Sequence, residues 1–151
     1  MDSYSIGVDL GGTNLRVAAI GSDGKILRRE SVTASFDCGP LHVVNEIVST
    51  IERLRARGGC ELRGVGIGVP GFIDMDAGLI VGSANLPGFQ GFPVRDEIQQ
   101  RLGIPILLEN DANAAALGEM WMGAGRNVKD LILLTLGTGI GSALIYDGVL
   151  V

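Results

Sequence analysis

The sequence predicts an α/β fold in which helices cover a mixed sheet. Three observations support this class: two strand–turn–strand segments built around glycine loops, a helix-spaced apolar pattern over residues 41–54, and buried-type strands that alternate with further helices. The order of elements at the start of the chain begins again near Lys129. This repeat predicts one domain over residues 1–128 and the beginning of a second over residues 129–151.

Three antiparallel strands are predicted first. Residues 4–9 and 15–20 are mostly apolar extended runs on either side of Gly11-Gly12. Ser22-Asp23-Gly24 has the chemistry of a hairpin turn, and it leads into a third strand over residues 25–33. We therefore expect the chain to open with a three-stranded antiparallel unit.

The next segment predicts a helix and then a buried strand. Gly39-Pro40 suits a helix start, and apolar residues recur at helical spacing until Gly58-Gly59. Residues 65–69 form a buried-type strand that ends at Pro70-Gly71, and turn chemistry over residues 74–78 joins two short extended pieces. This first helix should lie on the sheet.

An irregular segment is predicted over residues 82–92, and two more helices follow it. The first covers residues 94–102 and is closed by Gly103, and the second is alanine-rich and covers residues 112–122. A buried strand over residues 104–108 separates them. This alternation is what predicts the parallel part of the mixed sheet.

The composition favours a cytoplasmic protein that binds neither membranes nor nucleic acid. No stretch approaches the roughly 20 uncharged residues that a bilayer needs, and no secretory signal precedes the first strand. A net charge of −5 opposes binding to a phosphate backbone. Cys38 and Cys60 lack metal-site spacing, so we expect reduced thiols and neither a disulfide nor a metal site at these residues.

Asp9-Leu-Gly-Gly-Thr-Asn14 joins the first two predicted strands. Its glycines let backbone amides turn toward an anion, and Asp9 at the strand end suits a hydrated magnesium ion. An extended segment follows, which separates this loop from Walker and Rossmann loops, whose glycines open a helix. Taken alone, a hairpin turn without a ligand explains the segment equally well.

A second glycine loop, Leu136-Gly-Thr-Gly-Ile-Gly141, lies between predicted strands over residues 131–136 and 142–146. Alone it is weak evidence for phosphate binding. The second loop becomes informative together with the first, since two such loops can face one nucleotide from opposite walls of a cleft. The two loops together therefore favour a nucleotide site.

Leu108-Glu-Asn-Asp-Ala-Asn113 places polar residues between a buried strand and a helix, where open α/β sheets expose their reactive groups. For Asp111 taken alone, helix capping is the simpler explanation, because aspartate is a good cap. Asn110 and Asn113 favour a functional role, since several hydrogen-bonding groups converge at this point.

Four motifs in this order resemble the ROK family of sugar kinases and regulators, and they span nearly the whole chain: Asp9-Leu-Gly-Gly-Thr13, Ala84-Asn-Leu-Pro-Gly88, Glu109-Asn-Asp-Ala-Asn113 and Leu136-Gly-Thr-Gly-Ile-Gly141. The resemblance implies the actin-like ATPase fold, in which two ribonuclease-H-like domains close on ATP and a sugar. This chain would contain the first domain and the first hairpin of the second.

The resemblance also implies roles for individual residues. Asp111 would be the catalytic base, and the sugar would be bound by Gly71, Asn85, Asn110 and Asp111. The ATP phosphates would lie against the two loops, with magnesium at Asp9; the loop residues are Asp9, Gly11, Gly12, Thr13, Asn14, Gly137, Thr138, Gly139 and Gly141. The family's Glu-x-Gly-His segment, zinc-binding cysteines and adenine-binding part would follow Val151. We therefore expect zinc only in a longer protein, and little activity from this chain alone.

These features together predict ATP-dependent phosphorylation of a hexose, first of all glucose, at its primary hydroxyl, within a longer enzyme that we expect to be a homo-oligomer. The alternatives are a sugar-responsive ROK transcriptional regulator and a non-catalytic sugar-binding fragment. A regulator would carry a helix-turn-helix before the first glycine loop, and the first strand begins near Tyr4. The preferred hexose and the choice between ATP and polyphosphate stay open.

Overall fold

A computed structural model describes residues 3–55, 60–137 and 139–151 of the chain. The elements, in chain order, are β1 (Ser3–Leu10), β2 (Asn14–Gly21), β3 (Ile26–Thr33), α1 (Pro40–Leu54), β4 (Glu61–Val69), β5 (Phe72–Asp74), β6 (Leu79–Gly82), α2 (Val94–Leu102), β7 (Ile106–Asn110), α3 (Asp111–Met122), β8 (Leu131–Leu136), β9 (Ile140–Tyr146) and β10 (Val149–Leu150). All the predicted helices and strands are present. Gly58-Gly59, the predicted end of the first helix, lies outside the described residues.

The main sheet has five strands in the order β3-β2-β1-β4-β7. The first three strands are antiparallel, whereas β4 runs parallel to β1, and β7 runs parallel to β4. A separate antiparallel sheet has the order β10-β9-β8, and β5 pairs with β6 as a short hairpin. The predicted mixed sheet is therefore confirmed, and β10 adds a third strand to the predicted second hairpin.

The main core lies between the five-stranded sheet and two helices. Helix α1 buries an apolar face that includes Val44, Ile47 and Ile51, and α2 contributes Val94 and Ile98. Alternate residues of the strands point to this side, as expected when one face of a sheet is covered. Helix α2 ends where Gly103 adopts the left-handed conformation, at φ 65°.

Helix α3 packs against the opposite side of the sheet and also against the second sheet. A Cβ atom placed on Gly68 of β4 would lie 3.5 Å from the Cβ atom of Ala114, so the helix approaches the strand closely. On the other flank, Ala112 and Ala116 form a small buried cluster with two residues of β9, Ala143 and Ile145. The predicted boundary near residue 128 stays a prediction, because α3 belongs to both packing units.

Two strand boundaries differ from the sequence prediction. Strand β4 begins at Glu61 instead of Val65, because its polar first residues pair with the start of β1, for example Glu61 with Ser3. Strand β7 is shifted toward the carboxyl end and begins at Ile106, directly after Pro105, which has no backbone N–H for a sheet ladder. The shift brings Asn110 to the last position of the strand.

No described helix has both the length and the hydrophobicity needed to cross a bilayer.

Candidate active site

A cleft of about 610 Å³ opens between the β1–β2 loop and the β8–β9 loop. The sequence-predicted site residues converge on it, apart from Thr138, which lies outside the described residues. Those in the lining are Asp9, Gly11, Gly12, Thr13, Asn14, Gly71, Asn85, Asn110, Asp111, Gly137, Gly139 and Gly141. Residues separated by more than one hundred positions in the sequence thus share one cavity.

Backbone hydrogen bonds hold the β1–β2 loop, and two of its amides have no acceptor among the described residues. The Gly11 amide donates to the Asn14 carbonyl oxygen at 2.9 Å, and the Thr13 carbonyl oxygen accepts from the Ala34 amide at 3.0 Å. Among the described residues, none accepts a hydrogen bond from the amide of Gly12 or Thr13, and both residues are exposed. Free amides in a glycine turn are suited to an anion such as phosphate.

The β8–β9 loop faces the cleft from the other side. Its Gly137 amide donates to the Gly139 carbonyl oxygen at 2.9 Å, and both glycines are exposed. Thr135 and Ser142, at the ends of the flanking strands, also line the cleft, although no sequence motif singled them out. Their positions next to the loop are the only signal that would have found them.

Asp111 is the first residue of α3, and the neighbouring Asn110 is the helix cap. The Asn110 Oδ1 atom accepts from the amides of Ala112 and Asn113, at 2.9 and 3.2 Å. Its Nδ2 group donates to the Gly71 carbonyl oxygen at 3.0 Å. The interpretation of Asp111 as the cap is therefore wrong, because the residue before it performs that role. The other N–H of the Asn110 side-chain amide has no acceptor among the described residues.

The Asp111 carboxylate is exposed and only partly engaged. Its Oδ1 atom accepts from the Ala112 amide at 2.8 Å, and no residue in the described part of the chain donates to Oδ2. Glu109 secures the turn beneath it, since Glu109 Oε1 accepts from the Asn110 amide at 2.7 Å and from Asn113 Nδ2 at 3.0 Å. Within the described residues, Asp111 thus keeps one carboxylate oxygen as an acceptor at a hydrogen-bonded helix start.

Gly71 and Asn85 line the cleft on the side of the main sheet. Gly71 adopts φ 113°, and a Cβ atom there would collide with the Gly82 carbonyl oxygen, so only glycine fits. Asn85 is exposed and lies against the first glycine loop: a Cβ atom on Gly12 would lie 3.3 Å from the Asn85 carbonyl oxygen. The segment around Asn85 and the β1–β2 loop therefore approach each other closely.

Asp9 and Arg16 form an ion pair that the sequence analysis missed. They lie opposite each other in the β1–β2 register, and Arg16 Nη1 is 3.4 Å from Asp9 Oδ2. Both line the cleft, where Asp111 is the other charged residue in the described lining. Only the strand register reveals this pair, because seven positions separate the two residues in the sequence.

The residues present fit a magnesium ion at Asp9. Magnesium is commonly held by one or two carboxylates together with substrate phosphates, and Asp9 is an exposed carboxylate in the cleft that the two glycine loops line. Within residues 3–55, 60–137 and 139–151, no group of three or more His, Cys, Asp and Glu side chains is arranged for a metal. His42 lies on α1, outside the cleft, and its Nε2 atom is 3.5 Å from Glu46 Oε1.

Comparison with known proteins places this geometry in a family. The profile of the ROK family matches residues 5–151. A glucokinase from Thermotoga maritima is 44% identical over 145 residues, which cover 96% of this chain and 45% of that protein. A glucokinase from Halalkalibacterium halodurans is 39% identical over 150 residues, which cover 97% of this chain and 45% of that protein.

A solved structure has the same fold over nearly the whole chain. It is the crystal structure of a ROK family glucokinase from Streptomyces griseus in complex with glucose and AMPPNP, at 35% identity and a TM-score of 0.87. The alignment covers 97% of this chain and 46% of that one. The chain thus spans somewhat less than half the length of these relatives.

Proposed function

Because this chain belongs to the ROK family, we propose that it carries the sugar site and one phosphate-binding wall of an ATP-dependent hexose kinase, with glucose as the first substrate to test. The family and the actin-like ATPase fold class predicted from the four motifs are both confirmed. The activity itself belongs to the full-length protein that carries this chain, since the relatives named as glucokinases are about twice as long.

One observation carries the proposal: a single cleft contains an exposed, partly engaged carboxylate at Asp111, amide side chains and two glycine loops. Phosphoryl transfer asks little covalent chemistry of the protein, and positioning with charge neutralisation does most of the work. The cleft provides groups for each requirement. Asn85 and Asn110 suit sugar hydroxyls, and the free amides of Gly12 and Thr13 suit phosphate oxygens.

In the proposed reaction, Asp111 Oδ2 accepts the proton of the primary hydroxyl of the hexose. The hydroxyl oxygen forms a bond to the terminal phosphorus of ATP, the bond from that phosphorus to the bridging oxygen breaks, and ADP leaves. Asn110 holds the first turn of α3 in place through its contacts with Gly71 and the helix amides. Magnesium bound at Asp9 would supply neutralisation of the phosphate charge.

The test is phosphorylation by the full-length protein. Purified protein with magnesium-ATP and a panel of hexoses should form ADP only when a hexose is added, and NMR should place the phosphate on the primary hydroxyl. Polyphosphate in place of ATP would reveal whether it also serves as donor. Sugar binding without phosphate transfer from either donor would contradict the proposal.

The regulator alternative has less support, because the relatives at 39 and 44% identity are named as glucokinases. Sugar-dependent binding to DNA, without phosphorylation, would favour it. A cytoplasmic location accords with ATP as the donor and is part of this proposal. The homo-oligomeric state likewise remains a proposal.

A further inference from the structure

We propose that Arg16 is a phosphate-binding residue of this cleft, held by Asp9 until a nucleotide enters and then free to contact the phosphates. This inference rests on the proposed kinase function, and it assigns a role to a residue outside the four family motifs. Its basis is the charge inventory of the cleft, the looseness of the ion pair and the strand register.

The charge inventory shows why a cation is needed. The described cleft lining contains three charged side chains, the carboxylates of Asp9 and Asp111 and the guanidinium of Arg16. A nucleotide adds several negative charges to a site that already holds two carboxylates. Arg16 is the one basic residue in the described lining, and its planar fork of donors matches phosphate oxygens.

The ion pair between Arg16 and Asp9 is weak enough for a ligand to replace either partner. Its distance of 3.4 Å is long for a charge-assisted hydrogen bond, and the two side chains are 67% and 55% exposed. Exposed pairs of this kind contribute little to stability. Among the described residues, the Arg16 side chain has no hydrogen-bond partner other than Asp9, so the rest of its guanidinium donors are available to a ligand.

The register directs Arg16 toward the ligand side of the sheet. Asp9 and Arg16 are directly opposite in the antiparallel β1–β2 pair, so their side chains project from the same face. The neighbouring residues Leu15 and Val17 are fully buried in the core on the other face. A metal ion that engages the Asp9 carboxylate would compete with Arg16 and release the guanidinium beside the phosphate loop.

The test compares Arg16→Gln with Arg16→Lys in the full-length protein. Calorimetry should measure binding of the magnesium complexes of AMPPNP and of tripolyphosphate, a probe that lacks the adenosine. Arg16→Gln should weaken both by about tenfold or more, as expected for loss of a charged hydrogen bond, and Arg16→Lys by less. Glucose binding and the thermal midpoint should not change.

Arg29→Gln is the matched control, because Arg29 is an exposed arginine of β3 that lies outside the cleft lining and carries the same charge. Its variant should bind both probes normally. Undiminished binding by folded Arg16→Gln, in a protein that phosphorylates hexose, would overturn this inference alone. An equal loss in Arg29→Gln would also overturn it, since general charge would then explain the effect. Failure of the unaltered protein to bind AMPPNP and to phosphorylate hexose would overturn the proposed function as well.

Discussion

The two walls of the cleft have the same strand–glycine loop–strand plan but very different support. The first loop joins β1 and β2, whose inward residues belong to the large core beneath α1 and α2. The second joins β8 and β9, and the buried residues of β9, Ala143 and Ile145, belong to a much smaller cluster with Ala112 and Ala116 of α3. The two walls thus share a strand–loop–strand plan, whereas the clusters that pack behind them differ greatly in size.

The two sheets also differ in the charge of their edge strands. Strand β3 contains two arginines and a glutamate, and such charges discourage pairing with another chain. Strand β8 has the sequence LILLTL without a charge, and it forms an edge of its sheet. Its outward residues Ile132, Leu134 and Leu136 are 72, 64 and 81% exposed.

The largest effect on stability should come from shortening a buried side chain in each of the two cores. Ile47→Ala in the main core should lower the free energy of unfolding by about 2–5 kcal/mol, because the tightly packed site leaves a cavity. Ile145→Ala should cost about 2 kcal/mol or less, since its small cluster can collapse. Denaturant unfolding of the 151-residue chain measures both. Equal losses would mean that the second wall is as firmly packed as the first.

A second prediction concerns self-association through the uncharged edge. The 151-residue chain should associate at high concentration, and Leu134→Lys should weaken that association by placing a charge on the exposed face of β8. Leu27→Lys, on the exposed surface of the charged edge strand β3, is the control and should have little effect. Sedimentation velocity distinguishes them, and a strictly monomeric unaltered chain would contradict the prediction.

The smallest effect should come from the glycines of the two loops. Gly12→Ala should weaken sugar binding to the full-length protein by about fivefold, equivalent to about 1 kcal/mol of overpacking against Asn85. Gly139→Ala should leave sugar binding unchanged, because a Cβ atom there meets no described atom within 4 Å. Titration calorimetry with glucose provides the comparison. Equal effects of the two variants would show that the Gly12–Asn85 contact does not connect the subsites.

Most of the fold followed from the sequence because its local signals agree. The turn glycines, the Gly39-Pro40 helix start and the apolar spacing of α1 all specify the same elements that the structure contains. The start of β4 did not follow, because Glu61 and its neighbours are strand only through pairing with β1. Strand β10 was missed because two residues carry no periodicity.

The sequence predicted the motifs of the site, but not the hydrogen bonds and ion pairs between their side chains. The sequence places Asn110 and Asp111 together, yet it does not decide which of them caps α3; the extension of β7 to Asn110 does. The Asp9–Arg16 pair depends on strand register and so has no linear signature. Polar residues of a cleft are thus easier to find from sequence than the partners that hold them.

The central claim, that Asp111 is the catalytic base, is tested most directly by Asp111→Asn in the full-length protein. The change removes the proton acceptor but keeps the size of the side chain, and the helix cap at Asn110 stays in place. Turnover with saturating glucose and magnesium-ATP should fall by about 10²-fold or more, while glucose affinity and the thermal midpoint change little. Near-normal turnover in the folded variant would contradict the account and remove Asp111 from the mechanism.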